Sequence, residues 1–208
     1  MISFEKNLYW VEQHQLKLDK LETSCRSVVN YAKTNLMGIA EVSDMSNISK
    51  HHPHALIGDI YNGYNLLLYP LPELHKLYNC IRKSFRCIEA GDNWWVKCWG
   101  NVYSDSAHYD WHQHNESYVD TATQHKSYHG FYCVTGDDTF TTYRNLVENT
   151  TVHIPQTPNQ LTLIVNHPDW YHRTWPYKGD RDRVSIAFNI LHEDDINAFQ
   201  YPNHWLPL

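Results

Sequence analysis

The sequence predicts an α+β protein in which helices come first and a sheet of short strands follows. Apolar residues recur at helical spacing in two segments of the first ninety residues. After residue 90 the chain consists of short aromatic and β-branched runs separated by Gly, Asp, Asn and Pro. The chain also has 15 tyrosines and 8 tryptophans, which favour the half-buried surface of a sheet. We therefore expect N-terminal helices to brace one face of a sheet.

Two amphipathic helices are predicted in the first part of the chain. The segment 18–35 carries apolar residues such as Leu21 and Val28 at helical intervals, and the segment 73–88 does the same after two prolines. The intervening residues 43–70 mix turn formers with a short apolar run, which indicates loops with one strand. The HHPH motif at 51–54 offers metal ligands, but its composition is more typical of a surface loop.

The second part of the chain predicts a barrel or sandwich of short strands. The WWVKCW stretch at its beginning is more typical of a core strand than of a cofactor site, and Gly130 indicates a close approach of backbones or ligand. The five clearest strand segments are 94–103, 129–134, 151–155, 160–165 and 183–190.

Length and composition indicate one soluble domain over residues 1–208. We divide it into a mainly helical support (1–90), a sheet core (91–192) and a C-terminal tail (193–208). The net charge of −6 gives no general attraction for nucleic acid, and five cysteines without a CxxC pair fit reduced thiols. The sequence has no apolar run long enough to span a bilayer, so we expect a cytoplasmic protein without a membrane partner.

Possible metal ligands occur in the segment WHQHNES at 111–117. In an extended chain His112, His114 and Glu116 project from one face. Downstream, His172 follows an apolar strand, and Arg183 and Ser185 share one face of the strand RVSIAFNI. A guanidinium there suits recognition of a carboxylate.

Plainer interpretations exist for the same residues. Arg183 could pair with Asp180 or Asp182 at the surface, and Asn101 and Tyr103 could merely fill the interior of a barrel. The HYD segment at 108–110 is a rival to His112 as the source of the first metal ligand.

Together, WHQHNES, HGFYCV, His172 and RVSIAFN resemble the Fe(II)/2-oxoglutarate-dependent oxygenases over about residues 93–190, and most closely a phage and bacterial, prolyl-hydroxylase-like group. The resemblance implies a double-stranded β-helix, the jelly-roll architecture that cupins share. It implies three iron ligands, with Glu116 as the alternative third ligand, and four co-substrate contacts. The implied iron ligands are His112, His114 and His172, and the implied contacts to 2-oxoglutarate are Arg183, Ser185, Asn101 and Tyr103.

The activity that this resemblance implies is a dioxygenase reaction using Fe(II), 2-oxoglutarate and O2. Such an enzyme hydroxylates a substrate C–H bond and releases succinate and CO2. The substrate class stays open between an amino acid, a peptide or protein and a nucleotide, with peptidyl or free amino-acid hydroxylation favoured. We expect residues 117–128 to form a lid and four aromatic residues to flank the mouth of the site: Tyr118, Tyr128, Trp170 and Trp175.

Two alternatives remain open at this point. One is a cupin-like metal-dependent dioxygenase that does not use 2-oxoglutarate, which would account for a third histidine more simply. The other is a non-catalytic jelly-roll module for binding or virion association, consistent with a phage-encoded protein.

Overall fold

The computed structural model describes residues 2–3, 9–35, 55–57, 65–104, 107–113, 125–136, 139–198 and 204–208. Its helices are α1 (Leu18–Asn35), α2 (Pro72–Arg86) and α3 (Glu193–Ala198), with a 3₁₀ turn at Leu66–Leu68. Both helices predicted from apolar spacing are therefore confirmed. None of the helices within these ranges is long and apolar enough to cross a membrane.

The described strands form two antiparallel sheets that face each other. The larger sheet has the order β1-β2-β8-β5-β10-β4-β11, with β3 also paired to β4, and the smaller sheet has the order β7-β6-β9. The strands are β1 (Ile2–Ser3), β2 (Tyr9–Gln13), β3 (Ala55–Ile57), β4 (Trp94–Tyr103), β5 (Tyr128–Cys133), β6 (Thr139–Asn145), β7 (Thr150–Gln156), β8 (Gln160–Val165), β9 (Trp170–Thr174), β10 (Arg183–His192) and β11 (Leu206–Pro207).

The chain alternates between these sheets in the order of a jelly roll. It passes from β4 in the large sheet to residue 112, which bridges to β9 in the small sheet, and then returns to β5. It crosses to β6 and β7, returns to β8, and ends with β9 and β10 on opposite sides. This is the double-stranded β-helix that the sequence predicted.

The main hydrophobic core lies between the helices and the outer face of the large sheet. On α1 the buried residues Leu21, Cys25 and Val28 recur on one side of the helix, as an amphipathic helix requires. They meet alternate residues of β10, including Ile186 and Phe188, which are fully buried. Burying each such side chain contributes about 1.5–3 kcal/mol. The other residues of β10 face the small sheet.

Gly130 allows β5 and its neighbours to pack at close range. A Cβ atom at this position would collide with the carbonyl oxygen of Thr162 and would lie 2.5 Å from the ring of Phe188. The prediction that backbones approach closely here is confirmed.

The N-terminal part of the chain differs from the prediction of a mainly helical support. Strand β2 also comes from the first ninety residues and joins the large sheet by pairing with β8. β3 lies within residues 43–70, where one strand was predicted, and pairs with β4. β2 is only five residues long, so its pattern gives little signal until its long-range partner is known. The HHPH motif at 51–54 lies outside the described residues.

Candidate active site

His112 and His172 face each other at the edge of the small sheet. The backbone N–H of each residue donates to the carbonyl of the other, at 3.0 and 2.8 Å. Directly opposed residues of an antiparallel pair project to the same side, and the two ring centroids are 4.1 Å apart. Residues separated by 60 positions in sequence are therefore brought together by strand register.

The hydrogen bond at Nδ1 of His112 fits the tautomer in which a metal binds through Nε2. His112 Nδ1 lies 2.7 Å from the carbonyl oxygen of Asp110, and a carbonyl can only accept a hydrogen bond. Nδ1 therefore carries the hydrogen, and Nε2 carries the lone pair that a metal would use. The Asp110 side chain is exposed, and its carboxylate accepts a hydrogen bond from the backbone N–H of the next residue, Trp111, at 2.8 Å.

Two buried residues that the sequence reasoning missed hold His172 in place. His129 on β5 and Tyr143 on β6 both stack on its ring, each with centroids 4.9 Å apart. His129 Nε2 lies 2.9 Å from the Tyr143 hydroxyl, and His129 Nδ1 is hydrogen-bonded to Asn166 Oδ1. Burial lowers the pKa of His129 to about 4, so this ring is neutral at pH 7. The sequence pattern could have indicated His129, because it is two residues from Phe131 on β5 and so points to the same face of the sheet.

Arg183 is a fully buried cation between the two sheets, with 0% of its surface exposed. Its guanidinium lies 4.0 Å from the centroid of the Tyr103 ring, and Nη1 donates to Thr139 Oγ1 at 3.3 Å. Nε and Nη2 have no hydrogen-bond partner among the described residues. Burial lowers the pKa of Arg183, with Tyr103 acting in the opposite direction, but an arginine keeps its charge in proteins.

Within the described ranges, no carboxylate forms an ion pair with Arg183. Asp182 pairs instead with Arg26 on α1, at 2.9 Å, and Asp180 is exposed. The interpretation of Arg183 as the surface partner of Asp180 or Asp182 is therefore wrong. A buried charge without a counterion is costly, so the site favours an anionic ligand.

Register places the remaining predicted co-substrate residues beside Arg183. Tyr103 is directly opposite Arg183, and Asn101 is directly opposite Ser185, across the β4–β10 pair. All four are buried, and Asn101 Oδ1 has no hydrogen-bond partner among the described residues. A guanidinium with unmatched N–H donors next to a hydroxyl fits a carboxylate ligand.

The aromatic residues predicted at the mouth of the site have different positions. Trp175 is 37% exposed, and Trp170 is half-buried at the start of β9. Tyr128 is only 1% exposed: it packs against Phe85 in the core on the helix side and is hydrogen-bonded to Glu89. The prediction that Tyr128 flanks the mouth is wrong, because this residue has the opposite phase to His129 on β5.

Three of the predicted site residues lie outside the described part of the chain: His114, Glu116 and Tyr118. The same holds for most of the predicted lid, residues 117–128, of which only 125–128 are described. The whole set of metal ligands, with either His114 or Glu116 as the third, stays a prediction.

Comparison with known proteins identifies the architecture. No family model and no curated protein matches the chain. A prolyl hydroxylase from Trichoplax adhaerens, solved with a peptide fragment of hypoxia inducible factor, matches 93% of this chain and 87% of its own at 14% identity, with a TM-score of 0.63.

Two further solved structures are similar over most of their length. The α-ketoglutarate-dependent carbocyclase SnoK of nogalamycin biosynthesis is 12% identical over 88% of this chain and 79% of its own, with a TM-score of 0.60. The viral collagen prolyl hydroxylase of Paramecium Bursaria Chlorella virus-1, solved with 2-oxoglutarate, is 10% identical over 89% of this chain and 96% of its own, with a TM-score of 0.56. The chain therefore shares the double-stranded β-helix fold of these two prolyl hydroxylases and of the carbocyclase.

Proposed function

We propose that this protein is an Fe(II)- and 2-oxoglutarate-dependent dioxygenase that hydroxylates a substrate C–H bond. The observation that carries the proposal is the buried guanidinium of Arg183, which has two nitrogens without hydrogen-bond partners among the described residues. A small dicarboxylate would supply the missing negative charge and the missing acceptors. The fold shared with the viral collagen prolyl hydroxylase that was solved with 2-oxoglutarate supports this choice of diacid.

In this proposal His112 and His172 are two of the iron ligands. Imidazole nitrogens suit Fe(II), and the oxygenases of this type complete a triangular face with a third protein ligand. His114 is the proposed third ligand and Glu116 its alternative. Bound Fe(II) would supply O2 activation and oxidation of the substrate, while the protein supplies orientation and exclusion of water.

The roles of the co-substrate residues follow from their register. Arg183 would hold the distal carboxylate of 2-oxoglutarate through charge-assisted hydrogen bonds, and the Ser185 hydroxyl would add another donor. Asn101 and Tyr103 lie across the strand pair and would contact the remainder of the molecule. Because these residues are buried, bulk water competes little for the same donors.

A peptide or an amino acid is the substrate class that we propose. Two of the similar structures are prolyl hydroxylases, and one of them was solved with a peptide. Next to His172, the guanidinium of Arg173 lies 4.7 and 4.4 Å from the ring centroids of Trp111 and Trp175. Both tryptophans are 37% exposed, so this surface can pack against a chain-like substrate.

The two alternatives account less well for Arg183. A cupin-like enzyme that binds its substrate directly to iron does not require a buried arginine whose N–H groups lack acceptors, and neither does a module without catalysis. Either one would leave the cost of that charge unexplained.

The experiment that tests the proposed function is turnover of 2-oxoglutarate. The protein is incubated with Fe(II), O2 and labelled 2-oxoglutarate, with and without proline-containing peptides, and labelled succinate is measured. We expect succinate formation that requires Fe(II) and is lost in His172→Ala, whereas His75→Ala, an exposed histidine on α2, should leave it unchanged. The absence of succinate from an iron-loaded, folded protein with every peptide would contradict the reaction class.

A further inference from the structure

A row of side chains crosses the outer face of the small sheet, next to the two proposed iron ligands. Trp111 precedes His112, and Arg173 follows His172, so the bridge between the two histidines also places Trp111 opposite Arg173. Across the sheet, Arg173 is directly opposite Thr142 of β6. Successive residues of a strand point to opposite faces, so Trp111 and Arg173 point away from the space between the sheets.

Two indole rings hold the guanidinium of Arg173 in place. Its central carbon lies 4.7 Å from the ring centroid of Trp111 and 4.4 Å from that of Trp175. The indole N–H of Trp175 donates to Thr142 Oγ1 at 2.6 Å, and the Phe140 ring packs against the same indole with centroids 5.3 Å apart. These contacts restrict a side chain that is otherwise flexible. A donor that is fixed before binding loses less entropy when a ligand binds.

The Arg173 guanidinium has no acidic partner among the described residues. Its Nε is buried and has no hydrogen-bond partner there. The acidic residues nearest in sequence have other contacts: the Asp110 carboxylate accepts from the N–H of Trp111, and that of Asp169 lies 3.6 Å from His167 Nδ1. Because an arginine keeps its charge in proteins, Arg173 offers its N–H donors to an anionic ligand.

The charge of this face also favours an acidic ligand. Strands β6, β7 and β9 contain two arginines and no Asp or Glu, although the net charge of the chain is −6. Trp111 and Trp175 are each 37% exposed, so a ligand can reach the surface beside Arg173. Nucleic-acid binding depends on several Lys and Arg contacts to successive phosphates, which these three strands do not supply. One fixed guanidinium between apolar rings fits a single carboxylate better.

We propose that Arg173, held by Trp111 and Trp175, binds a carboxylate side chain of an acidic peptide substrate. The identification of the ligand as a peptide rests on the proposed function, whereas the carboxylate follows from the guanidinium without an acidic partner. A carboxylate and a guanidinium form two parallel hydrogen bonds, and the indole rings pack against the apolar parts of neighbouring peptide residues.

The position of Arg173 makes it a determinant of specificity. Trp111 and Arg173 are each adjacent in sequence to a proposed iron ligand. A peptide that brings one residue to the iron therefore places a residue a few positions away at Arg173. An Asp or Glu at that position distinguishes the substrate from other peptides.

Selection from a pool of short peptides tests this proposal without iron and without turnover. The full-length protein is presented with peptides that carry a central proline between random flanking residues, and the bound peptides are sequenced. We expect enrichment of Asp and Glu with wild type and with Arg144→Gln, and loss of this enrichment with Arg173→Gln. Arg144 is the matched control because it is the other arginine of the small sheet, and its replacement removes the same charge.

The affinity of an enriched peptide then gives the size of the effect. Fluorescence anisotropy should show a Kd raised about 10-fold by Arg173→Gln, and about equally by replacing the selected Glu of the peptide with Gln. The replacement in the peptide leaves the protein intact, so this comparison tests the proposal even if Arg173→Gln does not fold.

Several outcomes would overturn the proposal. These are the absence of acidic enrichment with wild type, the same enrichment with Arg173→Gln, and an equal loss with Arg144→Gln, which would show an effect of total charge. Binding of a single-stranded oligonucleotide through Arg173, with no acidic peptide selected, would identify a nucleic-acid surface instead.

The failure of this proposal can be distinguished from failure of the oxygenase function. Acidic selection by a protein that forms no succinate would support the role of Arg173 and contradict only the oxygenase reaction. Equal succinate formation with acidic peptides and with their amide counterparts would overturn the role of Arg173 and leave the reaction in place.

Discussion

The guanidinium carbon of Arg183 lies over the ring of Tyr103, 4.0 Å from its centroid, in a directly opposed pair of β10 and β4. This contact fixes the orientation of a planar, permanently charged donor inside the protein. Beside the contacts to Tyr103 and Thr139, Nε and Nη2 of the guanidinium have no hydrogen-bond partner among the described residues. These two nitrogens remain available for a ligand that has acceptors and negative charge.

Replacing Arg183 by alanine should weaken 2-oxoglutarate binding. Loss of charge-assisted hydrogen bonds worth about 1.5–3 kcal/mol corresponds to a Kd raised roughly 10- to 150-fold. Calorimetry on the metal-loaded protein measures this directly. The matched control is Arg144→Ala, since Arg144 is exposed on β6 and bonds only to Asn149 within the described contacts. An unchanged Kd in Arg183→Ala would remove this residue from the site.

Replacing His129 by phenylalanine should weaken metal binding while keeping the ring volume. The variant loses the hydrogen bonds to Tyr143 and Asn166 that hold the ring against His172. Partners that orient a metal ligand typically contribute about 10- to 100-fold in affinity. Titration with Mn²⁺ measures the effect, and His153→Phe on the outer side of the small sheet is the control. Equal affinities for both variants would show that the stack has no orienting role.

Replacing Gly130 by alanine should destabilise the fold. The added Cβ would collide with the backbone carbonyl of Thr162, which cannot move without disturbing the β5–β8 pair. Overpacked cores typically lose about 1–3 kcal/mol, and we expect the free energy of unfolding to fall by about 3 kcal/mol because the colliding atom belongs to the backbone. Urea denaturation measures it. The control Gly91→Ala separates backbone strain from atomic collision. Gly91 has a φ of +139°, but no atom lies within 4 Å of the position that a Cβ would take. This substitution should lower the free energy of unfolding by only about 1 kcal/mol.

The five cysteines should react with a thiol reagent at very different rates. Cys87 is exposed, whereas Cys25, Cys98 and Cys133 are buried. Burial raises the pKa of Cys25 to about 12 and raises that of Cys98 as well, so both stay in the unreactive thiol form. Ellman's reagent should therefore label Cys87 first and the three buried thiols only after denaturation. Rapid labelling of all five cysteines in the native protein would contradict the burial of Cys25, Cys98 and Cys133.

The sequence was most informative where one strand has a continuous pattern. The segments 94–103 and 160–165 agree with β4 and β8 to the residue, and alternation along β10 correctly separated Arg183 from the core residue Val184. These strands carry buried apolar residues at regular positions, so local spacing defines them.

The sequence was least informative where structure depends on distant pairing. β6 has the sequence TFTTYRN and β9 has the sequence WYHRT. These two strands pair with each other, and the local sequence pattern of neither strand reveals that partner. The error at Tyr128 has a related cause. Tyr128 is close in sequence to the predicted site, but successive residues of β5 point to opposite faces of the sheet. Tyr128 therefore faces the helices, and His129 faces His172.

The most direct test of the central claim is anaerobic titration of the iron-loaded protein with 2-oxoglutarate, followed by visible absorption. Chelation of iron by the 2-oxo acid gives a charge-transfer band that neither component shows alone. We predict a saturable band in wild type, its loss in His172→Ala, and its recovery only at higher 2-oxoglutarate concentration in Arg183→Ala. A wild type that binds iron but shows no band, or a His172→Ala protein with an unchanged band, would contradict the account.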